Sequence, residues 1–340
     1  MTVLRPHGAN PEKLYEAFGI PMPGKICDFS TNTNIVEWRG ALDFDLKRTL
    51  ADYPDDDSSE LAALIAAQNG CAVENVLVTN GSNEAIYLLA SYLTGGTNCL
   101  LQPLYGEYGR ALSAYCAPVH NIFSLSETPR NCSSVWICNP CNPTGAFIEN
   151  RELEQAASAR EEALFIVDEA YRPLMYGENE PLDFLSHPNL VLLRSLTKIY
   201  HLCGARIGYV LAARPVIDRL KRRQPTWSVN AVAQKTAAAY LQDETFATAT
   251  RAYYGREVPR FREKLRGAGY DALPTCVNFF LVRVENDEGL MVFLLKRGLV
   301  VRHTRNFPGL DGRCVRVAAR SAADDDLLAE AMKEYRNTCV

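Results

Sequence analysis

The sequence predicts an α/β fold built on a mostly parallel sheet, with a smaller α+β unit towards the C-terminus, and three observations carry this expectation. From about Asn75, short β-rich runs alternate with helical stretches, the pattern of strands joined by crossover helices. With 340 residues, 47% of them apolar and 22% charged, the chain can bury a substantial core and suits two domains better than one. Past residue 225 the pattern changes to Ala- and charge-rich helices followed by further strands.

In chain order, the strands expected in the first part are 76–79, 99–102, 135–138, 164–168, 190–195 and 207–212. Pro225 and the Trp227-Ser228-Val229-Asn230 segment mark a boundary, and helices then run to about Arg266. Strands at 278–284, 299–303 and 314–318, with a helix at 287–297 and a Pro/Gly loop between them, make up the second part. The division expected is an N-terminal arm at 1–34, a large domain at 35–225 and a small one at 226–340. Open α/β sheets bind ligands beyond the carboxyl ends of their strands, so residues just past those ends are the candidates for function.

A formal net charge of −4 with scattered basic residues leaves no footprint for nucleic acid or an anionic membrane, so the expected partner is a small molecule. The first ten residues lack the apolar core of a signal peptide, and no stretch of about 18 apolar residues occurs elsewhere, so the expected location is the cytosol. Most of the eleven cysteines sit in apolar runs and read as reduced thiols. Cys138 and Cys141 form a C-x-x-C without a second pair at metal spacing, so no metal site is expected there.

Four motifs carry chemistry. Ser195-Leu196-Thr197-Lys198 leaves a β-run, with Arg206 eight residues after the lysine; a sheltered lysine can form a Schiff base, while hydroxyls and an arginine grip a phosphate. In Val167-Asp168-Glu169-Ala170-Tyr171 an acid ends an apolar run, where its carboxylate can pair with a protonated ring nitrogen. Tyr171 can then donate to a phenolate oxygen. Asn139-Pro140-Cys141-Asn142-Pro143-Thr144-Gly145 is a tight loop presenting the Asn142 amide. Thr79-Asn80-Gly81-Ser82-Asn83-Glu84-Ala85 leads from a strand through glycine into a helix, whose first N–H groups seat a phosphate. Taken singly, each also reads blandly: Lys198 as a surface lysine, Asp168 as a helix cap, the last two motifs as structural turns.

Together and in this order the motifs resemble the class I/II aminotransferase family of pyridoxal 5′-phosphate (PLP) enzymes, fold type I, over roughly residues 29–320. The resemblance implies PLP as cofactor, with Lys198, Asp168 and Tyr171 catalytic. It implies Gly81, Ser82, Asn83, Asn142, Ser195, Thr197 and Arg206 around the cofactor and Tyr105 stacked on its ring. It also implies a homodimer, in which Tyr53 reaches the phosphate of the neighbouring subunit's cofactor.

The opening His7-Gly8-Ala9-Asn10, the run Asp28-Phe29-Ser30-Thr31-Asn32-Thr33-Asn34, and the stretch from Val301-Arg302-His303 to Val315-Arg316-Val317-Ala318 are similar to the L-threonine-O-3-phosphate decarboxylases. The C-terminal stretch is similar also to the histidinol-phosphate aminotransferases. The implied activity is decarboxylation of a phosphorylated amino acid, threonine phosphate giving aminopropanol phosphate for cobalamin biosynthesis. The alternative is transamination of histidinol phosphate or a related amine. A phosphate plus a carboxylate calls for two arginines. Arg302 is expected on the phosphate with His7, Gly8 and Asn32, and Arg316 on the carboxylate, with Asn142 shared between substrate and cofactor. Arg320 is expected on the same strand as Arg316. The Ala9 and Thr33 positions depart from the decarboxylase pattern and leave phosphoserine open as a substrate.

Overall fold

The computed structural model describes residues 4, 8, 10–177 and 180–339. Three sheets form among the described residues. The first strand, β1 (Cys27–Asp28), belongs to a small parallel pair considered below. The central sheet comprises β2 (Val76–Thr79), β3 (Thr97–Leu101), β4 (Val119–Ile122), β5 (Cys132–Cys138), β6 (Leu164–Asp168), β7 (Leu190–Ser195) and β8 (Gly208–Ala212), in the order β2-β8-β7-β6-β5-β3-β4. Only β8 runs against the rest, so the carboxyl ends of the other six share one edge.

Strand alternation explains why this sheet is sandwiched. Val135 and Ile137, Phe165 and Val167, and Leu190 and Leu192 pack on one face with helices Ser59–Gln68, Ala231–Leu241 and Glu244–Gly267. Trp136, Ile166, Val191 and Val210 pack on the other with helices Gly81–Tyr92, Glu107–Ala114 and Arg214–Lys221. Strands buried on both sides read as continuous apolar runs, which is why they stand out in the sequence.

The second sheet is antiparallel and contains β9 (Phe279–Arg283), β11 (Arg302–His303) and β12 (Cys314–Ala318), in the order β11-β12-β9. Its Phe279, Val282, Val315 and Val317 belong to the same buried cluster as the first face of the central sheet, so one core joins the two sheets. The third is the two-stranded pair of β1 with β10 (Leu299–Val300).

Two expectations are corrected here. Residues 299–303 are not one strand: β10 pairs with β1 and β11 with β12, in separate sheets, with Val301 between them. Arg320 lies past the end of β12, and its Nη1 donates to the Asp28 carbonyl at 3.0 Å. Strands β1 and β4 were not expected. The first three residues of β4 are exposed and two of them, His120 and Asn121, are polar, so this edge strand carries no apolar signal. No helix among the described residues is long and apolar enough to cross a membrane.

Candidate active site

A cavity of about 470 Å³ opens where the carboxyl edge of the central sheet meets the second sheet. Strand ends deliver its wall. Asp168 ends β6, Ser195 ends β7 with Lys198 three residues beyond, and Asn142 follows β5.

One end is shaped for a phosphate. Gly81 opens helix Gly81–Tyr92 with φ +72°, a conformation that suits glycine, and a Cβ there would stand 2.6 Å from Arg206 Nη2. Gly208 in β8 lacks the Cβ that would come within 2.6 Å of the Ser82 nitrogen. These two glycines let the helix start approach both the sheet and Arg206. Ser82, Asn83, Ser195, Thr197 and Arg206 all line this part of the cavity. The Ser195 and Thr197 hydroxyls are 2.7 Å apart, and Asn83 Oδ1 is buried without a hydrogen-bond partner. The helix N-terminus, two hydroxyls and a guanidinium suit a phosphate.

Asp168 lies at the centre. Its Oδ1 accepts from the Ala170 N–H at 2.9 Å and its Oδ2 from the Tyr108 hydroxyl at 2.7 Å. Burial pushes its carboxyl pKa up, and the two donors oppose that shift. The adjacent Glu169, wholly buried, is neutralised by Arg172 and Arg194, each 2.6 Å away. Asp168 has no such ion pair among the described residues, so it is the acid that faces the cavity ready for a cationic ligand atom.

Lys198 is half-buried, with its Nζ 5.9 Å from the centre of the Tyr171 ring. Burial depresses its pKa, the Cys203 thiol opposes the shift, and Arg316 and Arg206 depress it further. The Tyr171 hydroxyl accepts from Asn32 Nδ2 at 2.6 Å, and burial raises its pKa. Tyr105 packs edge to face against Tyr108, ring centres 5.8 Å apart.

The other end is cationic. Arg302 of β11 and Arg316 of β12 are direct register partners, and both are buried and line the cavity. Arg316 donates to Asn142 Oδ1 and, at 2.6 Å, to the Ser30 carbonyl; its Nε is buried with no partner. Arg302 Nη2 donates to Asn306 Oδ1 at 2.7 Å. Burial, followed by the charge of Arg316, pushes the Arg302 pKa down to about 9. Gly8 packs on this arginine, where a Cβ would lie 3.2 Å from both Arg302 Cδ and the Ser30 carbonyl oxygen.

Of the residues singled out in the sequence, fourteen line the cavity: Gly8, Asn32, Ser82, Asn83, Tyr105, Asn142, Asp168, Tyr171, Ser195, Thr197, Lys198, Arg206, Arg302 and Arg316. Gly81 stands behind it against Arg206. The Asn32 amide donates to the Tyr171 hydroxyl at 2.6 Å. His7 lies outside the described residues. Tyr53 is 80% exposed, its ring centre 4.6 Å from that of Trp227, and it does not line this cavity. Tyr108, Cys138, Cys203 and Phe307 also line the cavity. Sequence reasoning missed Tyr108, whose only signal is its place one turn after Tyr105. Ten of the cysteines are unpaired, and the described residues hold no group of three or more metal-ligating side chains.

A phosphate cradle, a half-buried lysine of depressed pKa and a carboxylate without a cation fit a phosphorylated aromatic aldehyde with a basic ring nitrogen. Comparison with known proteins agrees. Residues 24–334 match the family described as aminotransferase class I and II. The chain is 32% identical to a threonine-phosphate decarboxylase of Salmonella typhimurium over 355 residues, covering 96% of this chain and 95% of the relative. The crystal structure of L-threonine-O-3-phosphate decarboxylase from Porphyromonas gingivalis superimposes with a TM-score of 0.83 at 26% identity, over 92% of this chain and 100% of that one. A histidinol-phosphate aminotransferase from Sinorhizobium meliloti, solved with pyridoxal-5′-phosphate, gives 0.86 at 20% identity over 98% and 96% of the two chains and shares the fold. The chain thus belongs to the class I and II aminotransferase family, and its cofactor is pyridoxal 5′-phosphate.

Proposed function

We propose that this enzyme decarboxylates a phosphorylated amino acid, L-threonine O-3-phosphate, to aminopropanol phosphate, a building block for cobalamin. The observation that carries this reading is the cross-strand pair Arg302 and Arg316. Like charges directly opposite on neighbouring strands repel, and burial makes each costlier. Two such groups in the cavity that holds Lys198 call for a ligand with two anionic ends. The relatives named above supply the chemical type of that ligand.

Lys198 would attach the cofactor, Asp168 would hold its ring nitrogen protonated, and Tyr171 and Asn142 would meet its ring oxygen. Tyr105 would cover its face, while Ser82, Asn83, Ser195, Thr197 and Arg206 would take its phosphate, with Gly81 making room. When bound, PLP supplies a ring that accepts the electron pair of a bond broken at the substrate Cα. Arg302, with Gly8 packed on it, would bind the substrate phosphate and Arg316 the carboxylate. Gripping both ends fixes rotation about the Cα–N bond, and that rotation chooses between losing the carboxylate and losing the hydrogen. The depressed pKa of Lys198 gives it a neutral amine near pH 7 more readily than a free lysine, so it can move a proton at Cα. Proton removal there is the first step of transamination, the second reading, which the histidinol-phosphate aminotransferase likeness favours.

Truncating one partner of a desolvated charge pair costs on the order of 2–5 kcal/mol. Arg302→Ala should therefore lower kcat/KM for phosphothreonine by roughly thirtyfold to several thousandfold, with a much smaller effect on threonine. Equal losses for both substrates would remove the phosphate assignment.

A further inference from the structure

The loop 304–313 joins β11 to β12 and so connects the two buried arginines. It is folded on itself: the Thr304 hydroxyl donates to the Cys314 carbonyl at 2.6 Å, and the Phe307 N–H to the Thr304 carbonyl at 3.0 Å. Its successive side chains serve opposite sides. Asn306 accepts from Arg302 Nη2, and the buried Phe307 lies with its ring centre 5.5 Å from the Arg302 guanidinium carbon. Both therefore bear on the arginine that faces the cavity.

Arg305, between Thr304 and Asn306, reaches away from the cavity. Its Nε donates to Asp287 Oδ2 at 2.8 Å and its Nη2 to Asp287 Oδ1 at 2.8 Å, a bidentate pair, with Glu288 Oε2 2.9 Å from the same Nη2. Asp287 and Glu288 open helix Asp287–Leu295, whose first turn is capped by Asn286. Gly312, at φ +83°, closes the loop over this pair; a Cβ there would stand 3.1 Å from both Asp287 Oδ2 and Arg305 Cγ. The side chains of Arg305 and Asp287 are 18% and 11% exposed, so the pair is shielded more than a surface ion pair.

Arg316 faces Arg302 across the strand pair, while Asn306 accepts from the Arg302 guanidinium and Phe307 lies beside it. Through these two contacts the placement of Asn306 and Phe307 bears on the orientation of Arg302. We propose that Arg305 is a positioning residue for anion recognition: its bidentate pair with Asp287 holds Asn306 and Phe307 against Arg302 and sets the direction in which that guanidinium meets the substrate phosphate. This inference rests on the phosphorylated-substrate reading above.

The test is titration of the holoenzyme with L-phosphothreonine and with L-threonine, followed by cofactor absorbance, alongside steady-state kinetics. Arg305→Ala should weaken phosphothreonine binding by about tenfold and raise KM while leaving kcat within about twofold. Threonine binding should be unchanged. Asp287→Asn should reproduce the effect, and the double variant should be no weaker than either single one, because both remove the same interaction. If Arg302→Ala discriminates between the two ligands but neither Arg305→Ala nor Asp287→Asn does, the inference fails and the function stands. Equal weakening of both ligands by Arg305→Ala would also overturn it, marking Arg305 as structural support only. If Arg302→Ala itself does not discriminate, the phosphorylated-substrate reading falls and the inference falls with it.

Discussion

The Tyr108 hydroxyl, buried at the start of helix Glu107–Ala114, reaches Asp168 from a position sixty residues earlier in the chain. It matters because burial favours the neutral acid, whereas the role proposed for Asp168, opposite a protonated ring nitrogen, needs a carboxylate. A hydrogen bond to a charged group contributes about 1.5–3 kcal/mol. Tyr108→Phe should thus raise the Asp168 pKa further and weaken PLP binding to the apoenzyme by roughly tenfold or more. The melting temperature of the apoenzyme should stay near the wild-type value. Fluorescence titration of the apoenzyme with PLP measures this, and unchanged affinity would show that the Ala170 N–H alone suffices to hold Asp168 charged.

At the scale of elements, the first turn of helix Ala322–Cys339 holds a second acid under strain. Asp325 is buried; its Oδ1 accepts from the Arg320 N–H at 2.8 Å, and its Oδ2 has no hydrogen-bond partner, with Arg260 Nη2 3.9 Å away. Burial pushes its pKa up to about 7, the nearby Asp324 and Glu257 act in the same direction, and the Arg320 N–H and Arg260 oppose them. An unfolded aspartate titrates near 3.9, so between about pH 4 and 7 the folded chain holds more proton than the unfolded one and loses stability as pH rises. Asp325→Asn removes that dependence. The melting temperature of the variant minus that of the wild type should therefore grow from pH 4 to 7, and a flat difference would contradict the assignment. The strands around these elements were legible to different degrees. Strands β2, β6 and β7, apolar on both faces, have the ends their sequence predicts. By contrast β4, exposed at three of four positions, left no periodicity to read. The 299–303 run concealed its break because hydrophobic pattern records burial and not the identity of the partner strand.

Across the whole molecule, the site exists only where the two sheets are packed together. Lys198 and Asp168 come from the central sheet, Arg302 and Arg316 from the second, and Arg316 reaches back 286 residues to the Ser30 carbonyl. The chemical residues were legible because each sits in a short motif at a strand end, where type and spacing are visible in one dimension. The facing of Arg302 and Arg316 was not, since register is set by long-range pairing of β11 with β12. Tyr108 was missed for the same reason: nothing near it in sequence names Asp168 as its partner. The central claim, a two-anion site that turns the carboxylate into the scissile position, is tested most directly by incubating holoenzyme with carboxyl-labelled L-phosphothreonine. The account predicts labelled CO₂ and aminopropanol phosphate in equal amounts, without an added oxoacid acceptor. Label retained in a phosphorylated oxoacid, formed only when an acceptor is present, would contradict it and make the enzyme an aminotransferase.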